Sequence, residues 1–138
     1  MRLWPLAILD QLPRQQLLGQ HRECCALRGK GWGRKHATVD YVFKYTLGHL
    51  YEYHCAVISE MIKRGYEVDA HWYSRLYRGN QIKTALLQEV GVYVRSAGDR
   101  IYSEHDIHYL DECISNLAAK GVKIDRNRAL TKMENHAA

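Results

Sequence analysis

The sequence predicts a compact all-α single domain with about three main helices and long connecting loops. Three observations lead there. Over 47–64, Leu50, Tyr53, His54, Val57, Ile58, Met61 and Ile62 recur at three- and four-residue steps. Two further stretches, Arg14–Leu27 and about 105–120, are long and nearly free of glycine and proline. The chain has 138 residues, 46% apolar and 25% charged. That is enough for one core burying about two-thirds of the unfolded surface without a metal or disulfide staple.

Taken in order, residues 1–12 read as an extended lead-in. Pro13 suits a first helical turn, where its missing N–H costs nothing. A helix of about four turns then covers Arg14–Leu27, with a stripe of Leu17, Leu18, His21, Cys24 and Cys25. Three glycines in the loop 29–34 end it. A short helix is expected over 37–45. The helix over 47–64 ends with Lys63 and Arg64 at its negative pole and Gly65 as its cap. Residues 70–104 are ambiguous: a helix over 81–90 fits, and 92–96 reads as a short strand or a loop. The last long helix is capped by Gly121, and the polar tail from Asp125 is expected to fray. A faint echo at an offset of 56 pairs His49 with His105 and Gly65 with Gly121, which two helix ends with one capping chemistry explain. The domain thus divides into a basic portion 1–45, a helical scaffold 46–124 and a tail 125–138.

Charge placement is more telling than its total of +5. Residues 1–45 contain eight cations (Arg2, Arg14, Arg22, Arg28, Lys30, Arg34, Lys35, Lys44) and three anions (Asp10, Glu23, Asp40). The other 93 residues are neutral, with 12 of each sign. The densest run is RGKGWGRK at 28–35. Cations for phosphates, glycines for close approach and Trp32 for stacking suit a nucleic-acid backbone, although a solvated surface loop has the same composition. Ten tyrosines and three tryptophans against one phenylalanine favour rings with a wet edge, in the core or on a ligand. No apolar run reaches the 18 or so residues a membrane helix needs, and no export signal is evident. The four cysteines form no C-x-x-C and read as reduced thiols of a cytoplasmic protein.

Glu23 opposes the charge of its own region. On a helix, Gln16, Gln20, Glu23 and Leu27 form one stripe, with Arg22 about 100° away. A lone carboxylate among arginines is either an intrahelical ion pair or a group that moves protons and stabilises a cation on a bound substrate.

MRLW at the start, LPRQQLLGQHRE, the segment HRECCALRGKGWGRKHATV, and a helix ending KRGY resemble the pyrimidine-dimer DNA glycosylase/AP lyases of the phage endonuclease V type, in a bacterial version. The resemblance covers about residues 1–70. It implies an all-α fold and a cofactor-free, metal-free reaction on double-stranded DNA carrying damaged bases or abasic sites. The N-terminal α-amine attacks C1′, expels the base and forms a Schiff base, and β-elimination then nicks the strand. Carried over, the nucleophile is the amine of Met1 (or of Arg2 if Met1 is removed), Arg2 stands beside it, Glu23 assists, and Arg22 binds phosphate. Arg14, His21, Arg28, Lys30, Trp32, Arg34 and Lys35 complete the expected DNA surface. The resemblance further implies a monomer in a bacterial or phage-type cytoplasm, associated with the nucleoid. Three positions depart from the family type: a bulky Arg2 where the mature terminus is small, Ala26 where a further arginine stands, and a tail without aromatics.

Three rivals compete with this reading. A non-catalytic DNA-binding protein shares the electrostatics but has no use for Glu23. A metal enzyme could draw on His21, Cys24 or Cys25 with His36, His49 or His54, yet no H-E-x-x-H or C-x-x-C signature is present. A thiol enzyme could use Cys24 or Cys25 beside His21, Arg22 and Arg28.

Overall fold

The computed structural model describes residues 2–35 and 37–137, the side chains of 135–137 excepted. Helices α1 (Arg14–Arg28), α2 (Leu47–Lys63), α3 (Leu87–Val90), α4 (Ile107–Ala119) and α5 (Arg126–Ala137) follow in order. Of three 3-10 turns, Leu6–Gln11 precedes α1, Asp40–Lys44 lies between α1 and α2, and Ala70–Tyr73 lies between α2 and α3. Among the described residues there is no strand, only an isolated bridge between Tyr77 and Thr84. Among the described residues, no helix is long and apolar enough to cross a membrane.

Helices α1 and α2 form the centre. The first buries Leu17, Gln20, Cys24, Leu27 and Arg28, spaced for one face. The second buries Leu50, Tyr53, His54, Val57, Ile58 and Met61 of its expected stripe, while Ile62 is 50% exposed. Its start is a capping box: the Thr46 hydroxyl accepts from the His49 amide, and His49 Nδ1 accepts from the Thr46 amide. At its end the Arg64 guanidinium donates to the carbonyls of Leu9 and Leu12 (3.1 and 2.7 Å). That ties α2 to the start of the chain.

Four expectations need correction. The lead-in is not extended throughout, because Leu6–Gln11 closes a 3-10 turn whose Ala7, Ile8 and Leu9 are buried. Only Asp40–Lys44 of 37–45 is helical, and only Leu87–Val90 of 81–90. Residues 92–96, open between strand and loop, are loop and need no correction. The tail does not fray: α5 is a fourth long helix, packed on the Leu6–Gln11 turn through Ala129, with Leu130 and Met133 alongside. Asp10 pairs with Arg128 and Lys132, and Gln11 exchanges hydrogen bonds with the backbone of Asp125. The helix is polar in composition, and its described buried side chain is the small Ala129, so its sequence reads as a solvated tail. Its partners lie more than a hundred residues away.

The tyrosine excess is mostly core. Tyr53 and Tyr102 are fully buried, and Tyr41, Tyr102, His105 and Tyr109 pack ring against ring. Burial pushes the pKa of His105 down to about 3, and burial with Arg28 nearby pushes His54 well below the usual value. Both are therefore neutral in the fold, whereas an unfolded histidine titrates near 6.5. Their folded pKa values are depressed, so stability is complete above about pH 6.5 and is lost as pH falls toward 3. His105 alone accounts for on the order of 4 kcal/mol across that window. Urea midpoints should drop between about pH 7 and pH 4, and less steeply for His105→Gln. An unchanged slope in that variant would show that other groups carry the acid sensitivity.

Candidate active site

The candidate site begins with the first described residues. Leu3 and Trp4 are buried, so the chain start is drawn onto α1 by its own hydrophobicity. Gln20 then holds it from both sides. Its Oε1 accepts from the Trp4 amide at 2.7 Å and its Nε2 donates to the Arg2 carbonyl at 3.2 Å. The side chain is 2% exposed. The Tyr53 hydroxyl reaches both the Trp4 carbonyl (2.5 Å) and Gln20 Oε1 (2.7 Å), and Tyr109 donates to the Leu3 carbonyl (2.7 Å). Three consecutive residues are thus held by side chains from α1, α2 and α4. The Arg2 guanidinium turns to α4, 3.2 Å from Glu112 Oε1.

Beside this clamp opens a cleft of about 240 Å³. Arg2 and Trp4 form one wall, Gln16, Gly19 and Gln20 of α1 another, and Asn116 and Lys120 of α4 the third. Glu23 is half-buried on the same stripe of α1, one turn beyond Gln20. Arg22 is exposed, yet its guanidinium folds back beside Gly19, 3.7 Å from where a Cβ would stand. That is an ordinary contact distance, and neither Arg22 nor Glu23 is among the residues that line the cleft. A larger cavity of about 690 Å³ lies between the Leu6–Gln11 turn, α2 and residues 95–97, and none of the expected site residues lines it. Size alone would select it; chemistry selects the cleft at the chain start.

The remaining expected residues divide. Met1 lies outside the described residues, as does His36. Arg14, Lys30, Arg34 and Lys35 are exposed, Arg14 over the Tyr66 ring. The loop that carries the lysines is set by close contact: a Cβ on Gly31 would meet the Ala26 carbonyl oxygen at 2.8 Å. Trp32 is not a free stacking ring. It is half-buried, edge-on to Phe43, and packs against Leu47, Ala85 and Val90.

Arg28 is a correction. It is 2% exposed, and its guanidinium donates to the carbonyls of Trp72, Ser74 and Tyr77 and to His54 Nδ1, all within 3.0 Å. It anchors the 72–77 segment and offers nothing to a phosphate. His21 is half-buried, its Nδ1 2.9 Å from His54 Nε2, also turned to the interior.

That pair, with Cys25, makes the one group of metal-like spacing among the described residues. The surroundings do not fit a metal. Arg28 can only donate, so His54 Nδ1 accepts and the proton sits on Nε2, pointing at His21. A ligating histidine needs a bare nitrogen toward the metal and an acceptor behind it, the reverse polarity. The thiols fit nucleophiles no better. Burial pushes Cys25 up to about 12 and Cys24 well above the ordinary value, so neither forms much thiolate near neutrality.

Sequence reasoning placed Gln20 on the stripe of Glu23 but gave it no role, and it missed Tyr53, Tyr109, Asn116 and Lys120. The first two carry the spacing of ordinary core residues. The last two reach the site only through the packing of α4.

The profile of the family described as pyrimidine dimer DNA glycosylase matches residues 1–74, just over half of the 138. No curated protein and no solved structure matches the chain. The matched stretch contains the clamped chain start, α1 with Arg22 and Glu23, the basic loop and α2. The chain belongs to the pyrimidine dimer DNA glycosylase family.

Proposed function

We propose that the protein excises the base at a pyrimidine dimer through its N-terminal α-amine and then nicks the strand as an AP lyase. The amine of Met1, or of Arg2 if Met1 is removed, forms a bond to C1′ as the glycosidic bond breaks and the base leaves with its electron pair. The C1′–O4′ bond then breaks, the ring opens as O4′ takes up a proton, and C1′ and the amine nitrogen are left as the iminium. Removal of a C2′ proton then expels the 3′ phosphate. Glu23 stabilises the iminium and carries the proton, and Arg22, Lys30, Arg34 and Lys35 hold phosphates. An α-amine titrates near 7.7–8.0, so a useful fraction is a free nucleophile at neutral pH, unlike a lysine near 10.4. The reaction needs no metal or organic cofactor, and a monomer suffices for it.

One observation carries this reading. Gln20 grips Arg2 and Trp4 one helical turn from Glu23, so the chain start is held rigidly against the helix that bears the carboxylate.

Borohydride should trap a covalent adduct on duplexes containing a dimer or an abasic site, with the cross-link at the first residue. A tag left on the N-terminus should abolish trapping. An adduct mapped to Lys120, the ammonium lining the same cleft, would overturn the mechanism.

A further inference from the structure

Contiguous apolar side chains left in water call for a reason. Leu86 is 64% exposed, Leu87 73%, Val92 97% and Val94 70%, four large apolar residues within nine. The segment bearing them is not loosely attached. Ala85 and Val90 are buried against Leu47, with Trp32 and Leu76 packed on them. The Ala85 amide donates to the Leu76 carbonyl at 2.7 Å, and Glu89 accepts from the Leu86 amide at 2.9 Å. Arg78 joins the unit to the end of α1, with Nη1 at 3.4 Å from Glu89 and donors on the carbonyls of Arg28 and Gly29 (2.7 and 3.1 Å). The exposed leucines therefore stand on a fixed platform continuous with the basic loop, through Trp32 of that loop.

We propose that Leu86 and Leu87 form a wedge that enters the base stack of the duplex held by the basic loop, and so kinks it. The inference rests on the DNA reading above. Two kinds of observation select DNA as the occupant. The leucines follow directly on Ala85, which packs in one cluster with Trp32; the neighbours of that ring, Lys30, Arg34 and Lys35, are exposed cations, and Lys83 is exposed three residues before Leu86. The acidic group on the same short helix, Glu89, is engaged by Arg78 and by the Leu86 amide. An apolar patch bordered by cations matches the inside of a base stack bordered by phosphates, and Leu is among the side chains that pry base steps apart. A second copy of this chain would bring the same positive border against it. The kink would expose the damaged nucleotide to the cleft at the chain start.

The test is the double variant L86S/L87S, with L86M/L87M as the conservative control. Both leucines are solvent-exposed, so the thermal midpoint should hold or rise slightly. Binding and bending are read on a dimer-containing duplex carrying end-labelled dyes and a 2-aminopurine beside the lesion. The wild type and the Met variant should bend the duplex and raise the 2-aminopurine signal. The Ser variant should lose both, and its affinity for the damaged duplex should fall about tenfold. Its affinity for undamaged duplex and its salt slope should match the wild type. Equal bending by the Ser variant would overturn the wedge. So would a wild type that sediments as a dimer while the Ser variant is a monomer, since the patch would then be a self-interface. A wild type that binds neither duplex would overturn the DNA reading itself, a distinct outcome.

Discussion

Glu23→Gln is expected to lower single-turnover strand nicking by about 100- to 10,000-fold, the range of a general acid/base group. Affinity for the damaged duplex should stay the same or improve, because the substitution removes one negative charge from a cationic region. Glutamine keeps the size and an acceptor oxygen but cannot take a proton or offset the iminium charge. A binding protein without catalysis would tolerate the change by every measure, and an intrahelical ion pair would show its loss in stability. Rate, affinity and thermal midpoint measured on one preparation separate these cases. A rate within about threefold of the wild type would remove Glu23 from the chemistry.

Arg28→Met should destabilise the protein by about 3 to 5 kcal/mol, a fall of roughly 10 °C or more in midpoint. The guanidinium satisfies three backbone carbonyls and one imidazole nitrogen, and it lies over the rings of Tyr51 and Trp72 at 5.2 and 5.0 Å. Methionine fills part of the volume and donates nothing, so three part-buried carbonyls and one buried imidazole nitrogen lose their partner. Lys30→Ala gives the opposite pattern. Its midpoint should hold, and the slope of log K against log salt should flatten by about 0.9 for one lost phosphate contact. If Arg28→Met kept its stability and flattened the salt slope, the interior role assigned to this arginine would be wrong.

The two variants mark where sequence reasoning works and where it stops. Arg28 and Lys30 are two residues apart in one basic run, and charge counting treats them alike. In the fold, Arg28 occupies the last turn of α1 on the stripe that faces α2 and the 72–77 segment, while Lys30 lies past the end in solvent. Trp32 divides in the same way: its composition suggests stacking on a base, and its position gives the edge of Phe43. The helices show the complementary lesson. The 47–64 pattern is strong because α2 buries a whole face against neighbours. Helix α5 reads as a polar tail because it is held by the small Ala129 and by ion pairs to Asp10.

By itself the sequence determined the fold class, the two long central helices and the confinement of net charge to residues 1–45. It also singled out Glu23 and the resemblance that led to the family. These are local properties: periodicity, capping and charge order all lie within a few turns of chain. Only the tertiary structure decided which basic residues face solvent, that Gln20, Tyr53 and Tyr109 hold the chain start, and that α4 supplies a wall of the cleft. Those outcomes depend on contacts between residues dozens to more than a hundred positions apart. Their formation depends on how whole helices pack, and no local pattern encodes it.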